Sequence, residues 1–166
     1  MRQEGKNPKG PNGFTLAELI LVLAILAIMA ALVIPLSLGT SDFQAVSAAR
    51  MIAADLQYAQ NMAITSQNPV TVTFDTSGES YSLSNESGLL IHPINKTEYT
   101  IIFPSRDGFE KLDVVSSNFD GSASVTFDEL GAPDNAGVVV LQAGVHIYRV
   151  EVAAATGRVT VASDGS

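Results

Sequence analysis

From Phe14 to Ile34 the chain runs through 21 residues, FTLAELILVLAILAIMAALVI, in which Glu18 is the only charged side chain. A helix that is apolar all round has no face to give to water, so such a run needs apolar surroundings on every side. Its length is close to the roughly 20 residues that cross the hydrocarbon of a bilayer as a helix. A cleaved secretory signal has a shorter apolar core, about 7–15 residues, and ends in small residues of A-x-A type. Here the run is longer and continues into PLSLGTSD, a poor cleavage site of that kind. The expectation is a single-pass membrane protein.

Charge divides along the same line. Residues 1–13 carry Arg2, Lys6 and Lys9 against Glu4, a net of plus two, whereas from Phe14 onward six basic residues face sixteen acidic ones, a net of minus ten. A basic stub ahead of an apolar helix stays on the cytoplasmic side, so the acidic remainder is expected on the far side of the membrane. An acidic body also makes nucleic acid an improbable partner, since phosphate recognition needs cationic surface. The chain has no cysteine, which excludes disulfides, a thiol nucleophile and a Cys-ligated metal.

Past Ile34, Pro35 is expected to kink the helix rather than end it. The stretch SDFQAVSAARMIAADLQYAQNMAIT then places Val46, Ala49, Ala53, Leu56 and Ala63 on one face, with Gln44, Ser47, Arg50, Gln57 and Gln60 elsewhere around it. Ser41 or Asp42 is a suitable cap for a restart. One bent helix over about 14–65 would be on the order of 75 Å long. From Asn68 the period changes to two. PVTVTFD, the turn DTSG and ESYSLS form a hairpin, further strands are expected at 88–92, 98–103, 123–127 and 137–142, and HIYRVEV, AAATG and RVTVAS close the chain as a second hairpin. Strands follow a helix without alternating with helices, so the class is α+β: a long N-terminal helix, membrane-spanning in its first half, packed on a C-terminal antiparallel β-sheet domain. The expected division is a leader at 1–13, a membrane half-helix at 14–36, an amphipathic half-helix at 37–65 and a β domain at 66–166.

The sequence G-F-T-L-A-E at 13–18, behind a basic leader and opening an apolar helix, resembles the prepilin signature of type IV pilins and type II secretion pseudopilins. The resemblance implies that a prepilin peptidase cuts after Gly13 and methylates the new amino terminus on Phe14. It implies that Glu18, fifth in the mature chain, sets register during assembly by meeting the Phe14 amine of a neighbouring subunit, and that Pro35 is the helix-bending proline. DLQYAQNMAITSQNPVTVTFD, the residues Phe127, Gly131 and Pro133, and the closing Thr156, Gly157, Arg158 and Val159 are similar to the GspH/FimT group of minor subunits. Residues 85–122 match that group loosely. The expected fold is then pilin-like, and the partners are the peptidase, other pilins or pseudopilins, and the inner membrane.

On physical grounds alone, a carboxylate near the start of a membrane helix costs a few kcal/mol unless it lies at the interface or finds a partner. An interfacial Glu18 and a paired Glu18 are both open on that argument. FDELGAPDNAG gathers Asp128, Glu129, Asp134 and Asn135, oxygen ligands of the kind Ca²⁺ takes, but at no EF-hand spacing. His92 and His146 stand 54 residues apart and form no H-x-x-x-H pair. No nucleophile, acid/base pair, phosphate loop or cofactor motif is present, so the chain is not expected to be an enzyme. Arg149 and Arg158 share the solvent face of the last hairpin with Glu151, a weak basis for DNA binding. The expected function is a minor subunit of a type II secretion pseudopilus. The alternatives are a minor pilin of a type IV pilus or competence system and, from another class, a membrane-anchored binding domain with no filament role.

Overall fold

The computed structural model describes residues 13–36 and 40–164, with side chains at 13–29 and 41–164. The basic leader lies outside the described residues, as does the Pro35 side chain. The chain separates into two units at the Leu38/Gly39 boundary.

The first unit holds helix α1, Leu16–Leu36. It runs on through position 35 and ends one residue later, so Pro35 occupies its last turn, and the kink expected at Pro35 borders residues 37–39, which lie outside the described residues. Every described side chain of α1 is exposed, among them Leu19, Ile20, Leu21, Leu23 and Leu26. No helix among the described residues is long and apolar enough to cross a membrane.

The second unit holds α2, Thr40–Ser66, and nine strands in two antiparallel sheets. One sheet has β1 (Val70–Asp75), β2 (Ser80–Asn85), β3 (Gly88–Leu89), β4 (Thr100–Ile102) and β6 (Ser124–Phe127), in the order β3-β2-β1-β6 with β4 also on β2. The other runs β5-β7-β8-β9, from β5 (Leu112–Asn118), β7 (Gly137–Ala143), β8 (His146–Val152) and β9 (Val159–Ser163). The hairpins lie where period two puts them: Phe74 faces Tyr81, Val150 faces Val161 and Val152 faces Val159. The antiparallel β domain expected is built from two sheets. The strand that divides them is β5, whose alternation is broken by a bulge between Val114 and Ser116, so LDVVSSN does not read as a strand.

Both sheets pack on one face of α2. That face is mostly alanine (Ala45, Ala48, Ala49, Ala53, Ala59 and Ala63) with Ile52 and Leu56, all buried. Small side chains let the sheets approach the helix closely, and bulk comes from the sheet side. Phe119, just past β5, stacks on Phe74 of β1 at 5.9 Å, Phe74 meets Tyr81 at 5.6 Å, and Tyr81 meets Phe103 at 5.8 Å. This aromatic row joins the end of one sheet to the middle of the other, and such ring pairs add to the area they bury.

Candidate functional site

Residues 13–15 are not helical, and α1 starts at Leu16. Thr15 caps it: the Glu18 N–H donates to Thr15 Oγ1 at 3.2 Å, and the Thr15 N–H donates to Glu18 Oε2 at 3.4 Å. This reciprocal pair is a capping box, T-x-x-E, which satisfies two backbone donors that the start of a helix otherwise leaves open. Glu18 also places negative charge at the positive end of the helix dipole. The motif stands in the sequence as Thr15-Leu16-Ala17-Glu18, a T-x-x-E box.

Gly13 and Phe14 therefore sit just ahead of a fixed helix start. Phe14 is 81% exposed, and a Cβ built on Gly13 meets nothing within 4 Å.

The C-terminal segments singled out in the sequence come together on α2. Gln60 Nε2 donates to the Gly131 carbonyl at 2.7 Å and to the Thr156 carbonyl at 3.0 Å. Gly131 has φ +82° and Gly157 φ +62°, a region that costs side-chain-bearing residues about 1–3 kcal/mol. A Cβ on Gly131 would lie 2.7 Å from Ile64 Cδ1, and one on Gly157 would lie 2.5 Å from Gln60 Nε2 and 2.9 Å from the Gly131 carbonyl oxygen. Phe127 is fully buried beneath them. These residues form a junction that fixes two loops to the helix. Gln60, placed elsewhere around the helix from the apolar face by its spacing, is its centre. Gln44 departs from expectation in the same way: it is buried, its Nε2 donates to Glu110 Oε2 at 3.1 Å, and its Oε1 accepts the Lys111 N–H at 3.1 Å.

Two more polar stitches hold α2. Asp55 accepts the Tyr81 hydroxyl on Oδ2 at 2.5 Å and the Tyr99 hydroxyl on Oδ1 at 3.0 Å. Burial, and then the adjacent Asp55 charge, raise both tyrosines well above the ordinary phenol range. Asp42, weighed as a cap, lies in the first turn of α2 and accepts the Tyr148 hydroxyl at 3.0 Å, with His146 Nδ1 at 3.6 Å.

The acidic loop is committed to its own backbone. Asp128 Oδ1 accepts the Leu130 and Ala132 N–H groups at 3.0 and 2.7 Å, and Asp134 Oδ1 accepts those of Thr126 and Asn135 at 3.0 and 2.8 Å. Among the described residues no group of three His, Asp or Glu side chains is arranged to hold a cation. His92 Nδ1 accepts the Ile94 and Asn95 N–H groups and orders its own turn. Arg149 is paired with Asp164 at 2.8 Å, which removes half of the small basic pair on the last hairpin.

Comparison with known proteins agrees with this layout. The family described as Type II transport protein GspH matches residues 48–165, and the prokaryotic N-terminal methylation motif matches residues 9–34. No curated protein matches. Among solved structures, the minor pseudopilin EpsH from the type 2 secretion system of Vibrio cholerae is similar at a TM-score of 0.57 and 14% identity, over 74% of this chain and 99% of that one. The type IV minor pilin FimU of Pseudomonas aeruginosa is similar at 0.52 and 19%, over 76% and 97%. At these identities the likeness is one of fold.

Proposed function

The chain belongs to the GspH family of type II transport proteins and is by that membership a minor pseudopilin; from this premise we propose how it is made and assembled. Prepilin peptidase cuts between Gly13 and Phe14 and methylates the Phe14 amine. The segment 14–36 anchors the precursor once through the inner membrane, leader cytoplasmic and β domain periplasmic. The mature chain then enters a pseudopilus through its N-terminal helix, supporting protein secretion. The observation that carries this reading is the exposed, non-helical Gly13–Phe14 bond, set directly before a capped apolar helix within the methylation motif.

Glu18 is the assembly residue in this reading. Among the described residues its carboxylate accepts the Thr15 N–H at 3.4 Å. Among packed helices it pairs with the positively charged Phe14 amine of a neighbour, since either charge left unpaired there would be costly. Pro35 loosens the helix between its membrane and periplasmic parts. The chemistry proposed for the protein is assembly, with no catalytic step.

A type IV pilus or competence system is the second home for this fold, and the FimU likeness suits it without favouring it. A plain membrane anchor is the reading from another class. Mass spectrometry of the N-terminus from cells with and without the peptidase decides between processing and anchoring. N-methyl-Phe14 is expected only with the enzyme, and an intact Met1 or Arg2 terminus in both would overturn the proposal.

A further inference from the structure

Helix α1 has one defined starting residue. The Glu18 and Leu19 N–H groups donate to the Thr15 carbonyl at 3.1 and 3.2 Å, so the backbone ladder begins at Thr15. The Thr15 hydroxyl also accepts the Glu18 N–H at 3.2 Å, and the Thr15 N–H donates back to Glu18 Oε2 at 3.4 Å. A residue that caps in this way typically takes extended rather than helical backbone angles. Gly13 and Phe14, which precede it, lie outside the helix as well.

Without the cap, this boundary is free to move. Growth of the helix toward the leader would bond the Glu18 N–H to the Phe14 carbonyl and the Ala17 N–H to the Gly13 carbonyl, four residues back in each case. Unwinding in the other direction would bare the Leu16 and Ala17 amides beside an apolar run, where an unpaired donor is costly. Growth is the favoured response, and it folds the Gly13–Phe14 bond into the helix. In the native sequence Thr15 opposes that growth, and Gly13, a poor helix former, opposes it too.

We propose that Thr15 is a positioning residue for the peptidase: its hydroxyl fixes the helix start at Leu16 and so presents the Gly13–Phe14 bond open. This deepens the processing reading above and rests on it. Hydrolysis adds the hydroxyl of a water to the Gly13 carbonyl carbon and breaks its bond to the Phe14 nitrogen, which takes the remaining hydrogen and leaves as the amine. Inside a helix that carbonyl is engaged by the Ala17 N–H and its carbon is shielded by the next turn. Ahead of the cap both are accessible.

The test follows cleavage of the full-length precursor in detergent by purified prepilin peptidase, with the Phe14 carbon chemical shifts read on the same samples. Thr15→Val keeps the shape of the side chain and removes its hydroxyl, and Thr15→Ala removes both. Each should lower kcat/KM about three- to tenfold, the worth of one cap, and move the Phe14 shifts toward helical values. Thr15→Ser restores the hydroxyl and should restore both the rate and the shifts. Cleavage of the valine and alanine variants at the wild-type rate overturns the inference. So does slow cleavage with unchanged Phe14 shifts, because the peptidase would then be reading the hydroxyl itself. A wild-type precursor left uncut by active peptidase would instead refute the processing reading, and this inference with it.

Discussion

Replacing Asp55 with alanine should cost far more than removing either hydroxyl it holds. Tyr81 and Tyr99 are 2% and 3% exposed, so with no carboxylate each O–H has little access to water. An orphaned buried donor costs about 1–3 kcal/mol. Two of them set an upper range of about 2–6 kcal/mol, and Asp55, being half-buried, leaves a gap that water can partly fill. The expected loss for Asp55→Ala is about 2–4 kcal/mol. Tyr81→Phe removes donor and hydroxyl together, and Asp55 keeps Tyr99 and solvent, so its loss should be about 0.5–1.5 kcal/mol. Urea unfolding of a 39–166 fragment, followed by circular dichroism, measures both. In the Tyr81→Phe, Tyr99→Phe background, Asp55→Ala should become nearly silent, because no donor is left to orphan. An Asp55→Ala loss below about 1 kcal/mol, or one unchanged in that background, would refute the reasoning.

The same tyrosines predict an alkaline limit. Their folded-state values lie above the unfolded one, so their contribution is complete below about pH 10 and is lost as pH rises beyond it; urea midpoints should fall there, less so in the double Phe variant. Gly157→Ala meets both a positive φ and the Gln60 amide and should lower stability by about 2–4 kcal/mol, read in the same titration, and a neutral result would mean the Gln60 junction is soft. Gly13→Leu should leave uncut precursor in the membrane on an immunoblot, with mature protein at wild-type level counting against peptidase recognition. Glu18→Gln retains a capping-box partner but not the charge, so it should be processed yet absent from filaments. Filament entry at wild-type level would reduce Glu18 to a helix cap.

Much of this was legible because period marks elements. Alternation placed β1, β2, β8 and β9 to within a residue or two, and the alanine spacing marked the buried face of α2. The bulge hid β5 because one extra residue reverses the alternation that identifies a strand. The engagement of Gln44 and Gln60 is not legible in the sequence because a polar residue reads as exposed until its partner is known. Their partners lie 66 and 71 residues away for Gln44–Glu110 and Gln60–Gly131. The T-x-x-E box was local and visible, and needed only to be read as a cap.

The polar stitches along α2 have a mechanical consequence. Asp42, Gln44, Asp55 and Gln60 grip different parts of the sheets and loops, and from first to last they span about 27 Å of helix. An alanine face by itself is smooth and would let a helix slide or roll by a turn with little change in contact. Four anchoring residues at unequal intervals, making directional hydrogen bonds, have no second position in which all of those bonds close. The helix is thus keyed into the globular head like a toothed shaft, and a push along its axis moves the head by the same amount without slip.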